Sequence, residues 1–522
     1  MQMRRLVGTL VAVGMVASVL GACSGTMDDK SSGPSSKKSA DRQIVTPGKA
    51  DNYYSNVSKE FELEGTIGVE MTEEEFEDEA TRNEKISQRT TAVGLYLTAY
   101  MTAKLDDFFD NMDYGGFQAM VRNYSVEQED VAEGEEGTYE VTFTIDVAGP
   151  TDLPQLLLSE GAERADGGVQ FDLKMPQGAT SDPEHVNRNV PRSFNPDEYS
   201  GELETVALTA EPLPDHNDSY PHYDAFVQDG TYDVDVFFGH DYNEDRWDLR
   251  TAREVFSALE RSGFEAPVSS FDELGPDSGP FTKTFEAPGI ETDEVELQIR
   301  LYHSDMFEGA RDEHKETAVE SLRNRDVFYY WGHAGPYYGF SLGPNSRADI
   351  GYQEIAEMDL TDKKQLVIAS GCQTYSQYAD MLFANPAKSE ENLDVVTTVN
   401  YSNLAAGDAI LNGLVDVSNG QHEPHSFYEL VEQVNAPWAT RRMDTFYGVI
   451  GIDGNPQIHP YANVDGVGES CQSDRDCGAH GNANVCVEGS CAVRALAEGA
   501  CPADTRFGML GSGDRLQGGV CY

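Results

Sequence analysis

Asp326-Val-Phe-Tyr-Tyr-Trp-Gly-His-Ala-Gly335 and Gln365-Leu-Val-Ile-Ala-Ser-Gly-Cys-Gln-Thr374 decide the fold. Each is a short apolar run, rich in β-branched or aromatic residues, that stops at glycine beside a reactive side chain, His333 or Cys372. That is how a buried parallel strand delivers a chemical group. In an open α/β sheet ligands bind outside the carboxyl ends of the strands, so this His and this Cys would face one crevice. Their separation of 39 positions leaves room for one crossover connection, which two parallel strands require.

Working outward, residues 226–465 alternate strands and helices. Tyr232–Phe238 reads as a strand ending at Gly239-His240-Asp241, which would put His240 and Asp241 at the crevice. Trp247–Arg261 carries Ala252, Val255, Phe256 and Leu259 on one helical face and closes at Gly263. Val295, Leu297, Ile299 and Leu301 alternate as a second strand; His314–Asn324 is a helix, Leu393–Val399 a strand, Phe427–Val434 a helix and Thr445–Gly451 a last strand. Elements in this order predict an α/β, doubly wound, mostly parallel sheet with helices on both faces.

Residues 56–225 read as an α+β module with a loop-rich end. Ile86–Phe109 is a helix by composition, Tyr139 to Val147 alternate as a half-buried strand, and Arg164–His222, rich in Pro, Asp, Gly and Asn, reads as long loops rather than a segment cut on activation. Residues 24–55 are Ser, Gly, Asp, Lys and Pro with few apolar side chains, a flexible tether.

Residues 1–23 are an export signal, with Arg4 and Arg5 before an apolar run from Leu6 to Leu20 that is too short to span a bilayer comfortably. Leu20-Gly-Ala-Cys23 resembles the bacterial lipobox, which implies lipidation of Cys23, a membrane anchor and, with Ser24 following, the outer membrane of the cell envelope. Six of the eight cysteines, Cys471, Cys477, Cys486, Cys491, Cys501 and Cys521, crowd into residues 466–522. On an exported chain they read as three disulfides, with the pairing open among fifteen arrangements. Cys372 is then the odd cysteine, either a core residue or a thiol kept for chemistry.

The formal charge of −54 disfavours nucleic acid as a partner and reads first as a solubilising surface. Calcium is the ion such a composition would accommodate, although no stretch has the Asp-x-Asp-x-Asp-Gly spacing of a calcium loop. Gln421-His-Glu-Pro-His425 has two imidazoles, but Pro424 breaks the face that would align them on zinc, and the stretch reads as a polar loop.

With both strand ends in place, residues from about 226 to 460 resemble the caspase-like cysteine peptidases, which include caspases, legumain, gingipains and separase. That family has an apolar strand ending in His-Gly, then one ending in a small residue and the nucleophilic Cys; Tyr329-Tyr-Trp-Gly-His333 and Val367-Ile-Ala-Ser-Gly-Cys372 match both. Tyr447–Pro456 is similar to the Gly-Asp-Pro segment of gingipain-type domains, with Gly454 and Asn455 intervening. The resemblance implies a cysteine endopeptidase acting on peptides or proteins without a cofactor. Cys372 would be its nucleophile, His333 its acid/base, and the amides of Cys372 and Ala334 its oxyanion donors. Ala334 stands where the family has Gly, keeping the donor but narrowing its torsions. By the same likeness Asp241 and Ser370 would line the pocket for the side chain before the cut, and a carboxylate there would favour Arg or Lys. A surface binding module with a degenerate site is the alternative.

Overall fold

The computed structural model describes residues 43–44 and most of 53–452, leaving out 109–119, 123–126, 135–136, 152, 154–156, 159–160, 165–167, 182–193, 214–218, 287–293, 308–310, 335–338, 344–349, 401, 403–406 and 437–444; beyond these it describes 470–472, 485–487, 489–494, 507–512 and 515–521. Cys23, Cys477, Cys501 and the Gly454–Pro456 likeness lie outside the described residues.

The N-terminal region packs a long helix on an antiparallel sheet. Its strands are β1 (Ser58–Glu70), β2 (Met120–Val121), β3 (Glu127–Glu133), β4 (Thr138–Pro150), β5 (Gly161–Glu163), β6 (Val169–Pro176) and β7 (Leu203–Pro212). They lie in the order β2-β4-β1-β7-β6-β5, with β3 also on β4. The helix α1 (Glu79–Phe108) packs Ile86, Val93, Leu97 and Met101 onto Phe61, Leu63, Phe143 and Leu173. The expected loops after Arg164 are therefore corrected in part: Val169, Phe171, Leu173 and Met175 alternate inward on β6, a period-two signal outweighed in sequence by the surrounding Pro and Gly.

The second region is a mixed α/β layer. Its strands are β8 (Thr231–Phe238), β9 (Phe281–Phe285), β10 (Val295–His303), β11 (Val327–Trp331), then the two-residue pair β12 (Gly339–Phe340) and β13 (Ile350–Gly351), then β14 (Gln365–Ser370), β15 (Leu393–Thr398) and β16 (Tyr447–Ile450). The large sheet runs β9-β10-β8-β11-β14-β15-β16, parallel through its five central strands and antiparallel at both edges. Six helices accompany it: α2 (Trp247–Arg261), α3 (Arg311–Asn324), α4 (Tyr352–Ile355), α5 (Tyr378–Phe383), α6 (Gly407–Leu414) and α7 (Phe427–Asn435).

Both faces are covered. Val327, Tyr329 and Trp331 of β11 point into one core with α2, α6 and α7, while Phe328 and Tyr330 point into the other with α3, α4 and α5. A strand buried on both sides has no polar face, so it reads as an unbroken apolar run. Burial of each such side chain contributes about 1.5–3 kcal/mol. Helix α2 stops where Gly263 takes a φ of 83°, letting the Phe264 amide reach back to the Leu259 carbonyl at 3.1 Å.

Strand β9 went unread in the sequence. The end of the expected tether also departs from expectation: the Tyr54 amide and carbonyl pair with Val449 on β16 at 2.8 Å, so this stretch closes a sheet edge, and Gln43–Ile44 pairs with residues 510–511. In the C-terminal region Cys471 pairs with Cys486, and Cys491 is also disulfide-bonded. No helix among the described residues is long and apolar enough to cross a membrane.

Candidate functional site

The chain leaves β8 through α2 to β10, then returns through α3 on the opposite face to β11, so strand order reverses between β8 and β11. Such a reversal opens a crevice at the carboxyl ends, because the two connections depart to opposite faces. Three neighbouring strands end here in the same way. Gly239 follows β8, Gly332 follows β11 and Gly371 follows β14; the Gly239 amide donates to the Trp331 carbonyl at 2.9 Å and the Gly332 amide to the Ser370 carbonyl at 3.1 Å. No larger residue fits two of these positions. A Cβ on Gly332 would lie 2.6 Å from the Gly239 Cα, and one on Gly371 would lie 2.3 Å from the Ala334 Cβ.

His240, His333 and Cys372 are the residues that follow these glycines at the ends of three neighbouring strands. Trp331 pairs with Ser370 in parallel register, so His333 and Cys372 each stand two residues beyond a paired position. His333 is exposed, its side chain 49% open, and its Nε2 lies 3.2 Å from Oδ1 of the buried Asp241. That carboxylate also accepts from the Asn243 amide at 3.1 Å, the Asn243 side chain at 2.7 Å and the Trp247 amide at 3.0 Å. Burial acts to raise the Asp241 pKa, yet these donors and His333 together hold it below the ordinary carboxylate range. A charged acceptor fixes the proton of a neutral imidazole on Nε2 and leaves the Nδ1 lone pair free to act as a base. Tyr242 stacks on the His333 ring at 5.2 Å and 15°, and its hydroxyl bonds to Ser341.

Cys372 is half-buried and is the free cysteine among the described residues. Burial pushes its thiol pKa up, more than hydrogen bonding from the Ser402 amide and hydroxyl brings it down. The next residue, Gln373, takes a left-handed φ of 58°, a conformation that costs a non-glycine residue about 1–3 kcal/mol and turns the chain sharply away from the strand. Its amide donates to the Asn400 carbonyl at 2.8 Å. Beneath the site the Tyr330 hydroxyl donates to the His333 carbonyl and receives the Ser341 amide at 3.1 Å. The imidazole bonds to Asp241, and no hydrogen bond joins it to the thiol among the described residues.

Several sequence expectations move. Asp241 does not floor a pocket, because both its oxygens are occupied inside the protein and it faces His333. Ser370 is fully buried with its hydroxyl 2.8 Å from that of Tyr447, so it faces the core and lines no pocket. His240 is buried, with Nδ1 2.7 Å from the Ser304 hydroxyl. His422 is no part of a polar loop: its Nε2 donates to the Leu414 carbonyl at 2.9 Å among Tyr223, Tyr232 and Phe285, and burial lowers its pKa to about 4. Tyr242 and Ser402 had no sequence signal, and although Gln373 directly follows Cys372 nothing in the sequence marked its left-handed torsion; Asp241 had a signal, its place just past a Gly-His strand end. No group of three or more His, Cys, Asp or Glu side chains gathered for a metal ion occurs among the described residues. No family model, curated protein or solved structure matches the chain.

Proposed function

We propose that this chain is a cysteine endopeptidase of the caspase-like kind, held at the cell envelope by lipid on Cys23. One observation carries the reading: an imidazole anchored by a buried carboxylate and a thiol, each two residues past a register pair on neighbouring strands, at the reversal point of a parallel sheet. In this reading His333 Nδ1 takes the Cys372 proton as the sulfur attacks a peptide carbonyl. The amides of Cys372 and Ala334 receive the developing oxyanion. Collapse breaks the C–N bond, the amine leaves with the proton from His333, and water attacks the thioester to release the acid and restore the thiol. Asp241 holds the ring and stabilises the imidazolium that forms. Because burial raises the thiol pKa, proton removal accompanies attack rather than preceding it.

Cationic peptides are favoured by the overall field, while the Asp241 carboxylate is engaged by His333, Asn243 and Trp247 and is not set out to select Arg or Lys. The same raised thiol pKa is what favours the second reading, a binding module on this scaffold. A peptidyl electrophile directed at thiols separates them. An enzyme labels at Cys372, loses all labelling in Cys372→Ala and slows about 10²–10⁴-fold in His333→Ala. Labelling of the wild type no faster than that of free cysteine overturns the peptidase.

A further inference from the structure

A buried polar cluster joins the N-terminal sheet to the segment that follows the nucleophile. Glu60 of β1 is 2% exposed; its Oε2 accepts from the Tyr53 amide at 2.7 Å and its Oε1 from the Tyr375 hydroxyl at 2.5 Å. Arg122, 1% exposed, donates through Nε to Asp380 at 2.8 Å and lies 3.9 Å from Asp146, itself 1% exposed on β4. Tyr375 and Asp380 are the third and eighth residues after Cys372, on the far side of the strained Gln373. Two strands of one sheet thus hold both ends of the turn that leaves the thiol.

Among the described residues Glu60, Asp146 and Asp380 lie about the Arg122 guanidinium, with Tyr53 and Tyr375 as the other titratable groups facing Glu60. Burial, then Asp146, raises the Glu60 pKa to about 8 against the opposing Arg122 and the two hydrogen bonds. A simple surface between two domains would not need such groups, since a buried, imperfectly paired carboxyl is costly wherever apolar packing would serve.

We propose that Glu60, Arg122 and Asp146 are positioning residues for Cys372: the N-terminal sheet clamps the 373–380 turn and so aims the thiol, and the clamp loosens when Glu60 loses its proton. The proposal rests on Cys372 being the reactive group of the site described above. A carboxyl whose folded pKa is raised adds stability that is complete below its ordinary value near 4.5 and is lost as pH rises through about 8. The clamp is therefore tightest in acid and loosens progressively as pH rises from about 4.5 to about 8.

Iodoacetamide alkylation of Cys372 in the full chain, followed by mass spectrometry of its peptide, reads the clamp without a substrate. Tyr375→Phe keeps the ring and drops the bond to Glu60, and it speeds alkylation at pH 7 about threefold or more, as expected for groups in one hydrogen-bond network. Asp326→Ala, at the amino end of the large sheet, lowers the melting temperature and leaves the alkylation rate unchanged. In the wild type the rate rises between about pH 5 and pH 8 in addition to the thiol's own ionisation; Glu60→Gln, which cannot ionise, erases that rise. Equal effects of Tyr375→Phe and Asp326→Ala, or superimposable pH profiles of wild type and Glu60→Gln, overturn the proposal. Should Tyr375→Phe not fold, the Glu60→Gln profile decides alone. If the alkylation pattern holds while a peptidyl electrophile fails to label the wild type, the peptidase reading falls and the clamp stands.

Discussion

The two ends of the large sheet are built from the same strands on opposite terms. At the amino end charges are matched in place: Arg300 meets Asp233 at 2.9 Å, Arg325 meets Asp235 at 3.1 Å and Lys363 meets Asp326 at 2.7 Å, while the Asp233 amide donates to Asp326 at 2.8 Å. At the carboxyl end the backbone narrows to three glycines, Gln373 and Arg246 take left-handed torsions, and His333 stands open to solvent. One end spends its polar groups on holding strands together. The other keeps an imidazole and a thiol only partly satisfied, and it tolerates local strain that the paired end and the two apolar cores must offset. The difference teaches that position along a strand, more than residue type, separates support from chemistry: Asp241 and Asp326 are both buried aspartates beside a cationic or protonatable partner, yet their surroundings push their pKa values in opposite directions.

The largest expected effect breaks the carboxyl end alone. Asp241→Asn keeps the shape of the side chain and its place beside Asn243 and Trp247, but it removes the charge that selects the Nε2–H form of His333. Labelling of Cys372 by a peptidyl electrophile is expected to slow by about 10²-fold or more, with a smaller fall in melting temperature because the amide can accept on only one of the two sides where the carboxylate does. An equal fall in the alkylation rate with iodoacetamide, which needs no acid/base partner, would show that the aspartate supports the fold and not the imidazole.

How far these ends were legible in the sequence follows from their physics. Val327–Trp331 and Gln365–Ser370 are buried on both faces, so unbroken apolar runs ending at glycine announced two central strands and the residues after them. Helix α2 was equally plain, because its apolar residues recur at helical spacing and Gly263 ends it. Phe281–Phe285 was not read, since an edge strand with one buried face carries only Phe281 and Phe285 inward, too few to show a period. The role of Asp241 is set by the pairing of β8 with β11, a contact across 92 positions that no local pattern encodes. Glu60 is hidden for the same reason: in sequence it is one more acid on an acidic chain.

A smaller effect tests whether the glycines align the two strand ends. Gly371→Ala sets a methyl against the Ala334 methyl, and such overpacking is expected to cost about 1–3 kcal/mol in a denaturant or thermal melt and to slow labelling of Cys372. The double variant Gly371→Ala with Ala334→Gly removes the opposing atom and should recover most of both losses. If the double variant is as impaired as the single one, the close approach of the two strand ends is not what Gly371 provides.

The smallest effect belongs to the amino end and tests its separation from the site. Burial raises the Asp326 pKa to about 7 despite the opposing pull of Lys363. Its contribution to stability is therefore complete below the ordinary carboxylate value near 3.8 and is lost as pH climbs through 7. Asp326→Asn has no proton to lose, so the decline of the melting temperature from pH 4 to pH 8 should flatten, with the alkylation rate of Cys372 unchanged at every pH. A change in that rate would mean that strain at one end of the strands is transmitted to the other, and the sheet would then have to be treated as one coupled unit, with support and chemistry no longer divided between its ends.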